Sequence, residues 1–222
     1  MSKLIIVIII AIIVGAIYFE KRRGSGLEKI ATSLGFDFVP GQHSLPKELE
    51  QISFDLFTQG PANINNRMTG HKDAHEISIF DFTYTATASG EGDNRMPVAD
   101  DQFDMESRSQ SVIWVRLKKT LPEFDLSPRR IHKRTVAARF NLGQVTFDGQ
   151  SAFNQQFSLL GRDGEKLRQL FSQKLIDQLA SLPNLVIESR GHDLLFYRFE
   201  ERPDPKSIPG FLQEVEGLLA LL

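Results

Sequence analysis

Four groups of side chains in this sequence have types and spacings that chemistry could use. Asp81 stands in the middle of the most apolar stretch, HEISIFDFTYT, residues 75–85. A lone carboxylate buried there is very costly and needs a partner. Arg116, in the second apolar stretch VIWVRL, is the candidate. Such a pair either braces a sheet or marks a small polar pocket. Asp100, Asp101, Asp104 and Glu106 concentrate negative charge in one polar segment. Calcium would ask for about six oxygen ligands and a glycine turn at defined spacing, and the EF-hand spacing is absent. The segment therefore reads as a solvated acidic loop, or as a docking segment for a basic partner. Arg129, Arg130, His132, Lys133 and Arg134 form the densest basic cluster. It can contact anionic lipid headgroups or phosphate, or simply be the charged start of a helix after Ser127 and Pro128. His71 and His75 are four apart with Asp73 between them. That spacing faces a metal on a helix, whereas the local pattern is a turn entering a strand, so no metal site is expected.

No motif joins these groups into a reaction centre. The chain has no Gly-x-Ser-x-Gly elbow, Walker loop, dinucleotide fingerprint or His-Glu-x-x-His. Ser89, Gly90, Glu91 and Gly92 supply glycines without the following helix that a phosphate loop requires. No catalytic residue and no cofactor is assigned. The 222 residues contain no cysteine, which excludes a disulfide scaffold, a thiolate metal site and a thiol nucleophile. Lys and Arg number 26 against 28 Asp and Glu. That balance argues against a general nucleic-acid binder, which carries a basic excess.

The elements that must position these groups begin with an uninterrupted apolar run, LIIVIIIAIIVGAIYF, residues 4–19. As a helix it covers about 24 Å, against ~30 Å of bilayer hydrocarbon. Lys3 can snorkel at one end, and Tyr18 can sit in the interface at the other. Bulky Ile17, Tyr18 and Phe19 stand where a signal-peptide cleavage site would need small residues, so an uncleaved anchor is expected. Lys21, Arg22 and Arg23 follow, and the positive-inside rule then keeps the C-terminal side in the cytoplasm. Gly24, Ser25 and Gly26 read as a flexible joint. Residues 1–23 are thus a transmembrane anchor with a basic flank, and residues 24–222 a soluble domain, with possible sub-units at 27–120 and 140–222.

Within that domain, Ile77 and Ile79 fall on one face of a strand and Phe80, Phe82 and Tyr84 on the other, so the strand should be central and covered on both sides. Residues 63–69 read as its hairpin partner, and residues 86–108 as a long polar loop, functional or disordered. Residues 153–160 read as a strand, and Asp163 as the cap of a helix. Residues 185–190 and 193–199 read as two strands joined by a Gly191-His192 turn. A last helix, opened by Ser207 and Pro209, carries Phe211, Leu212, Val215, Leu218, Leu219 and Leu222 as one stripe. Antiparallel strands and helices in separate blocks give an α+β class, a mainly antiparallel sheet with packed helices behind an N-terminal transmembrane helix.

ISIFDFTYT after a polar hairpin resembles a family of uncharacterised bacterial membrane-anchored proteins, in which a phrase like IFDY-Y precedes a variable loop and a QTV strand. Gln110, Ser111 and Val112 stand at that place. The stretches FDGQSAFNQQFSLLGRDGEKLRQLF and LVIESRGHDLLFYR resemble the family as well. The resemblance implies this architecture and supplies no catalytic residue.

Three roles follow in order. The first is a membrane-tethered, non-enzymatic interaction or scaffold module with a protein partner. The second is an anionic-lipid or small-ligand sensor using Arg129, Arg130, Lys133 and Arg134. The third is a membrane-associated enzyme, for which Asp81, Arg116 and a nearby His would be the place to look. The expected address is the inner or plasma membrane, single-pass, with the domain in the cytoplasm. The absence of cysteine makes this directly testable. A Ser89→Cys chain should react with a membrane-impermeant thiol reagent only after cell lysis, and labelling of intact cells would reverse the topology.

Overall fold

The computed structural model describes residues 2–87, 105–130 and 141–222. It opens with one continuous 33-residue helix, α1 (Ser2–Leu34). Strand β1 (Asp37–His43), a short helix α2 (Lys47–Glu50) and a 3-10 turn (Leu56–Thr58) lead to the hairpin β2 (Ala62–Lys72) and β3 (His75–Thr87). Next come the long strand β4 (Met105–Pro128), β5 (Gly143–Val145), α3 (Ser151–Gln156) and β6 (Phe157–Gly161). The chain finishes with α4 (Gly164–Leu170), α5 (Gln173–Ala180), β7 (Leu185–Arg198), a 3-10 turn (Pro205–Ser207) and α6 (Ile208–Leu219).

The seven strands among the described residues share one antiparallel sheet, in the order β1-β2-β3-β4-β6-β5, with β7 also paired to β4. β4 is the organising strand. β3 lies along its first half and β6 along its second, on one edge, while β7 follows the other edge. The sheet therefore runs through both stretches that the sequence suggests as sub-units.

Both faces of the sheet are covered, as the two apolar faces of β3 require. One face packs Ile77, Ile79, Ile113 and Val115 against Leu27 and Ala31 of α1 and against the buried stripes of α4, α5 and α6. Phenylalanines join there, with Phe124 5.3 Å from Phe171 and Phe153 5.3 Å from Phe157, centroid to centroid. The other face packs Phe80, Phe82, Tyr84, Trp114 and Tyr197 under the segment that carries Leu49, Phe54 and Leu56. The α+β class with an antiparallel sheet is thus as the sequence indicates. The Asp163 side chain caps α4 at the Lys166 N–H, also as expected.

Several local expectations are corrected. Residues 185–198 form one strand rather than a hairpin. Gly191 keeps a positive φ of 66°, but it sits opposite Leu121 where β4 carries extra residues and the β4–β7 register shifts, so its left-handed backbone faces a bulge and does not make a turn. Continuous pairing with β4 outweighs the local turn signal. Phe153 lies on helix α3, and the strand begins only at Phe157. β3 and β4 stay paired as far as Thr87↔Met105, which shortens the expected loop at both ends. Asp100, Asp101 and Asp104 fall outside the described residues, and Glu106 lies on β4 in register with Ala86.

The expected joint at Gly24, Ser25 and Gly26 is also corrected, because α1 passes through it as unbroken helix. These glycines serve close approach. A Cβ on Gly24 would lie 3.1 Å from Asn66 Oδ1, and one on Gly26 would lie 3.0 Å from the Pro205 ring. Toward its start, α1 is uncovered among the described residues, and its side chains from Ile5 to Phe19 stand exposed. Among the described residues no helix is long and apolar enough to cross a membrane.

The helical reading of residues 24–26 separates two substitutions. Ser25 is exposed, so Ser25→Ala should change stability by less than about 0.5 kcal/mol. Gly26→Leu should wedge α1 from Pro205 and cost about 1–3 kcal/mol as an overpacked contact. Urea unfolding of the two variants checks this; a flexible joint would make both neutral.

Candidate functional site

The polar chemistry converges where α1 crosses the sheet. Asp81 is central on β3, with its carboxylate on the α1 side and 1 % exposed. Arg23 of α1 grips it with a two-pronged contact, Nε to Oδ2 at 2.6 Å and Nη2 to Oδ1 at 2.8 Å. Arg202, from the segment after β7, donates Nη2 to Oδ2 at 3.0 Å. Ser111, the register partner of Asp81 on β4, donates its hydroxyl to Oδ1 at 2.7 Å and accepts from Arg23 Nη2 at 3.0 Å.

The network extends outward from this centre. Arg23 Nη1 donates to the Pro203 carbonyl at 2.6 Å. Arg202 Nη2 also donates to both carboxylate oxygens of Glu20, at 2.9 and 3.1 Å. Glu20 accepts from Asn66 Nδ2 at 3.1 Å. Asn66 is buried at the β2 bulge with φ 53°, a left-handed conformation that asparagine tolerates. Its Oδ1 accepts from Gly41 N–H at 3.2 Å. Helix, bulge, central strands and the chain after β7 are thereby joined at one point.

Burial alone would raise the pKa of Asp81, but hydrogen bonds and charge from Arg23, with Arg202 and Ser111, outweigh it and hold the carboxyl below the ordinary 3.8. Arg202 is shifted upward, because Asp81 and Glu20 overcome the desolvation that would lower it.

Beside this cluster lies an open cleft of about 810 Å3 between α1 and the chain from Arg202 to Lys206. Its α1 wall carries Phe19, Arg22, Arg23, Gly26, Lys29 and Ile30, positions that recur on one side of a helix. The facing wall supplies Arg202, Asp204, Pro205 and Lys206. Five cations thus stand around one carboxylate. The absence of a Cβ at Gly26 lets Pro205 approach α1 closely.

The pair expected between Asp81 and Arg116 does not form. Antiparallel register places Arg116 opposite Glu76, five positions from Asp81. Arg116 binds Asp193 at 2.9 Å and lies 5.0 Å from the Trp114 ring centroid, while the Trp114 N–H also donates to Asp193. Arg129 donates to the Asn154 carbonyl and Arg130 to Asn184, at the end of β4 remote from Ser111. Lys133 and Arg134 lie outside the described residues. His71 and His75 sit at the β2–β3 turn, and among the described residues no group of three or more metal-ligating side chains forms.

A second buried set braces the opposite face. Glu188, fully buried, accepts from the Tyr197 hydroxyl at 2.8 Å and from the Asp55 N–H at 2.6 Å. Burial and the Glu188 charge hold the Tyr197 hydroxyl well above 10.0. Arg190 pairs with Asp125 at 3.0 Å. These contacts fix the segment around Phe54 to the sheet.

The sequence reading missed Arg23, Arg202, Glu20 and Lys206 as members of one site. The helical spacing of Phe19, Arg22, Gly26 and Lys29 was an available signal on α1. No local signal connects Arg202 with Asp81, 121 positions away.

The fold and site define a class, an α+β protein in which a long helix is pinned to an antiparallel sheet by a buried carboxylate. No family model matches the chain, and no curated protein matches it. Among solved structures it is similar to the crystal structure of the mycobacterial trehalose monomycolate transport factor A. The TM-score is 0.61, over 90% of this chain and 96% of that one, with 14% sequence identity. At that identity the likeness concerns the fold alone.

The Asp81 cluster predicts an acid limit. A carboxyl whose folded pKa is depressed contributes stability above its unfolded value and loses it as pH falls through the folded value. This contribution should hold from neutral pH down to about 4 and be lost below 3.8. Arg23→Met, which strips the two-pronged partner from a buried charge, should cost about 3–5 kcal/mol at pH 7 and reduce the acid-sensitive part. Denaturant unfolding of both chains between pH 7 and pH 3 checks it.

Proposed function

We propose that this chain is a membrane-tethered, non-enzymatic interaction or scaffold module. Residues 4–19 are its single-pass anchor, and the α+β domain stands on the cytoplasmic side of the inner or plasma membrane. The observation that carries the reading is where uncovered apolar surface lies. Among the described residues, twelve of the thirteen exposed large hydrophobic side chains are on α1, from Ile5 to Phe19, at 49–67 % exposure. Soluble surfaces rarely leave a contiguous apolar patch of that kind without a partner. An all-round apolar helix is suited to lipid.

The continuity of α1 supports a scaffold role. The helix enters the sheet without a hinge and is clamped there by Asp81. A domain attached in this way keeps a fixed height and orientation above the helix, which suits holding a partner near a bilayer. The hairpin of β3 and β4 leads to the acidic stretch with Asp100, Asp101 and Asp104, the segment proposed for a basic protein partner. The fold likeness is to a protein named as a transport factor. We carry over only the general idea of an accessory protein, since fold does not assign function. Membership in the uncharacterised membrane-anchored family stays part of the same proposal.

The anchor is tested on the full chain in cells. The protein should stay with membranes through alkaline carbonate extraction. Ile9→Arg with Ile12→Arg, at about 2.5–3.5 kcal/mol per charge at a helix centre, should move it to the supernatant still folded. Extraction of the unsubstituted chain by carbonate would overturn the anchor.

A further inference from the structure

We propose that the basic cleft below Phe19 binds a phosphate-bearing headgroup of an anionic membrane lipid, held by Arg22, Lys29 and Lys206. The lipid source rests on the membrane reading above; the phosphate chemistry rests on the cleft alone.

The charges around the cleft are not balanced from within. Arg23 and Arg202 are engaged by Asp81 and Glu20. Arg22, Lys29 and Lys206 have no ion pair among the described residues, and all three are exposed. The one carboxylate in the lining, Asp204, turns an oxygen back to the Lys206 N–H at 2.9 Å. Elsewhere several arginines meet carboxylates, Arg116 at Asp193, Arg190 at Asp125 and Arg162 at Glu123. Three free cations converging on a concave surface repel one another, and an anion placed among them relieves that repulsion.

The shape fits the charge. A cleft of about 810 Å3 is within the usual range for small-molecule sites, ~300–1,000 Å3. Phe19, Ile30 and Pro205 give it apolar walls beside the cations, as an amphiphilic ligand requires. Arginine offers phosphate a planar fork, and lysine a mobile point charge.

The position selects the source. Arg22 lies about 4.5 Å of helical rise beyond Phe19, the last residue of the apolar run, and Lys29 about 15 Å beyond it. The headgroup layer of one leaflet is ~5–8 Å deep. Arg22 therefore reaches the phosphate level, and the Lys29 side chain, tilted toward the start of the helix, carries its ammonium back toward the same level. The cleft suits a headgroup that carries negative charge outward from the bilayer, such as a phosphate monoester. This site is separate from the Arg129 and Arg130 cluster, whose guanidinium groups are engaged by Asn154 and Asn184.

The test uses the full chain in a neutral detergent, with calorimetric titration of dihexanoyl phosphatidic acid, dihexanoyl phosphatidylcholine, glycerol 3-phosphate and inorganic phosphate. Saturable binding of phosphatidic acid is expected, at least tenfold tighter than any of the other three. Arg22→Gln with Lys29→Gln and Lys206→Gln should weaken it about a hundredfold, from the loss of three cations near an anionic headgroup. Lys118→Gln with Lys119→Gln and Lys174→Gln should leave it unchanged, and the melting temperature of each variant should confirm its fold. Equal binding by the cleft variant, or no saturable binding, would overturn the site. Glycerol 3-phosphate or inorganic phosphate binding as tightly as the lipid would overturn the lipid source. Failure of the anchor appears separately, as extraction by carbonate.

Discussion

The constraint on which the rest depends is a carboxylate with no access to water. Asp81 sits between Phe80 and Phe82 on the central strand, 1 % exposed, and must meet positive charge there or be neutralised. Two arginines from opposite ends of the chain supply it. Arg23 comes from α1 and Arg202 from the segment that follows β7. Because the arginine forks are rigid and the acceptor is fixed on a strand, the contact sets both the rotation and the height of α1 on the sheet. Glu20 and Asn66 extend the same linkage to the β2 bulge. An apolar residue at position 81 could pack as well, but it would not specify which turn of a long helix lies against the sheet.

The glycines of α1 follow from that placement. A clamp this tight brings the helix backbone against Asn66 and Pro205, where side chains at positions 24 and 26 would collide. Glycine usually weakens a helix interior by about 1 kcal/mol relative to alanine, and here tertiary contact outweighs that preference. The result is a rigid passage from the uncovered apolar half of the helix to the packed half. The same close approach forms the cleft, with the buried ion pairs as its floor and the free cations as its rim. Charges engaged by the fold and charges open to solvent are thus neighbours. Arg23 and Arg202 are held by carboxylates of the fold, whereas Arg22, Lys29 and Lys206 face solvent.

Much of the frame was legible in the sequence because burial has a period. The alternation of Ile77 and Ile79 with Phe80, Phe82 and Tyr84 indicated a strand covered on both sides, and the two separate cores bear that out. The stripe of α6 and the Asp163 cap were legible for the same local reason. The errors share a cause too. Gly191 with His192 resembles a turn, and Gly24 with Gly26 resembles a joint, because a glycine shows only that a side chain is absent. Whether the space serves a turn, a bulge or a neighbouring chain depends on residues far away in sequence. The Asp81 partner was assigned to the wrong arginine because strand register, which puts Arg116 opposite Glu76, is set by pairing over the whole β3–β4 ladder.

The sequence by itself determined an apolar N-terminal helix, an α+β domain with a two-sided antiparallel sheet, the absence of thiol chemistry, and the need of Asp81 for a cation. These are properties of composition and short-range period. Only the tertiary structure decided which cations answer Asp81, that α1 is unbroken, and that five basic side chains from two distant segments meet at one cleft. Each depends on contacts between residues as far apart as Arg23 and Pro203, and no local pattern encodes a distance of that kind.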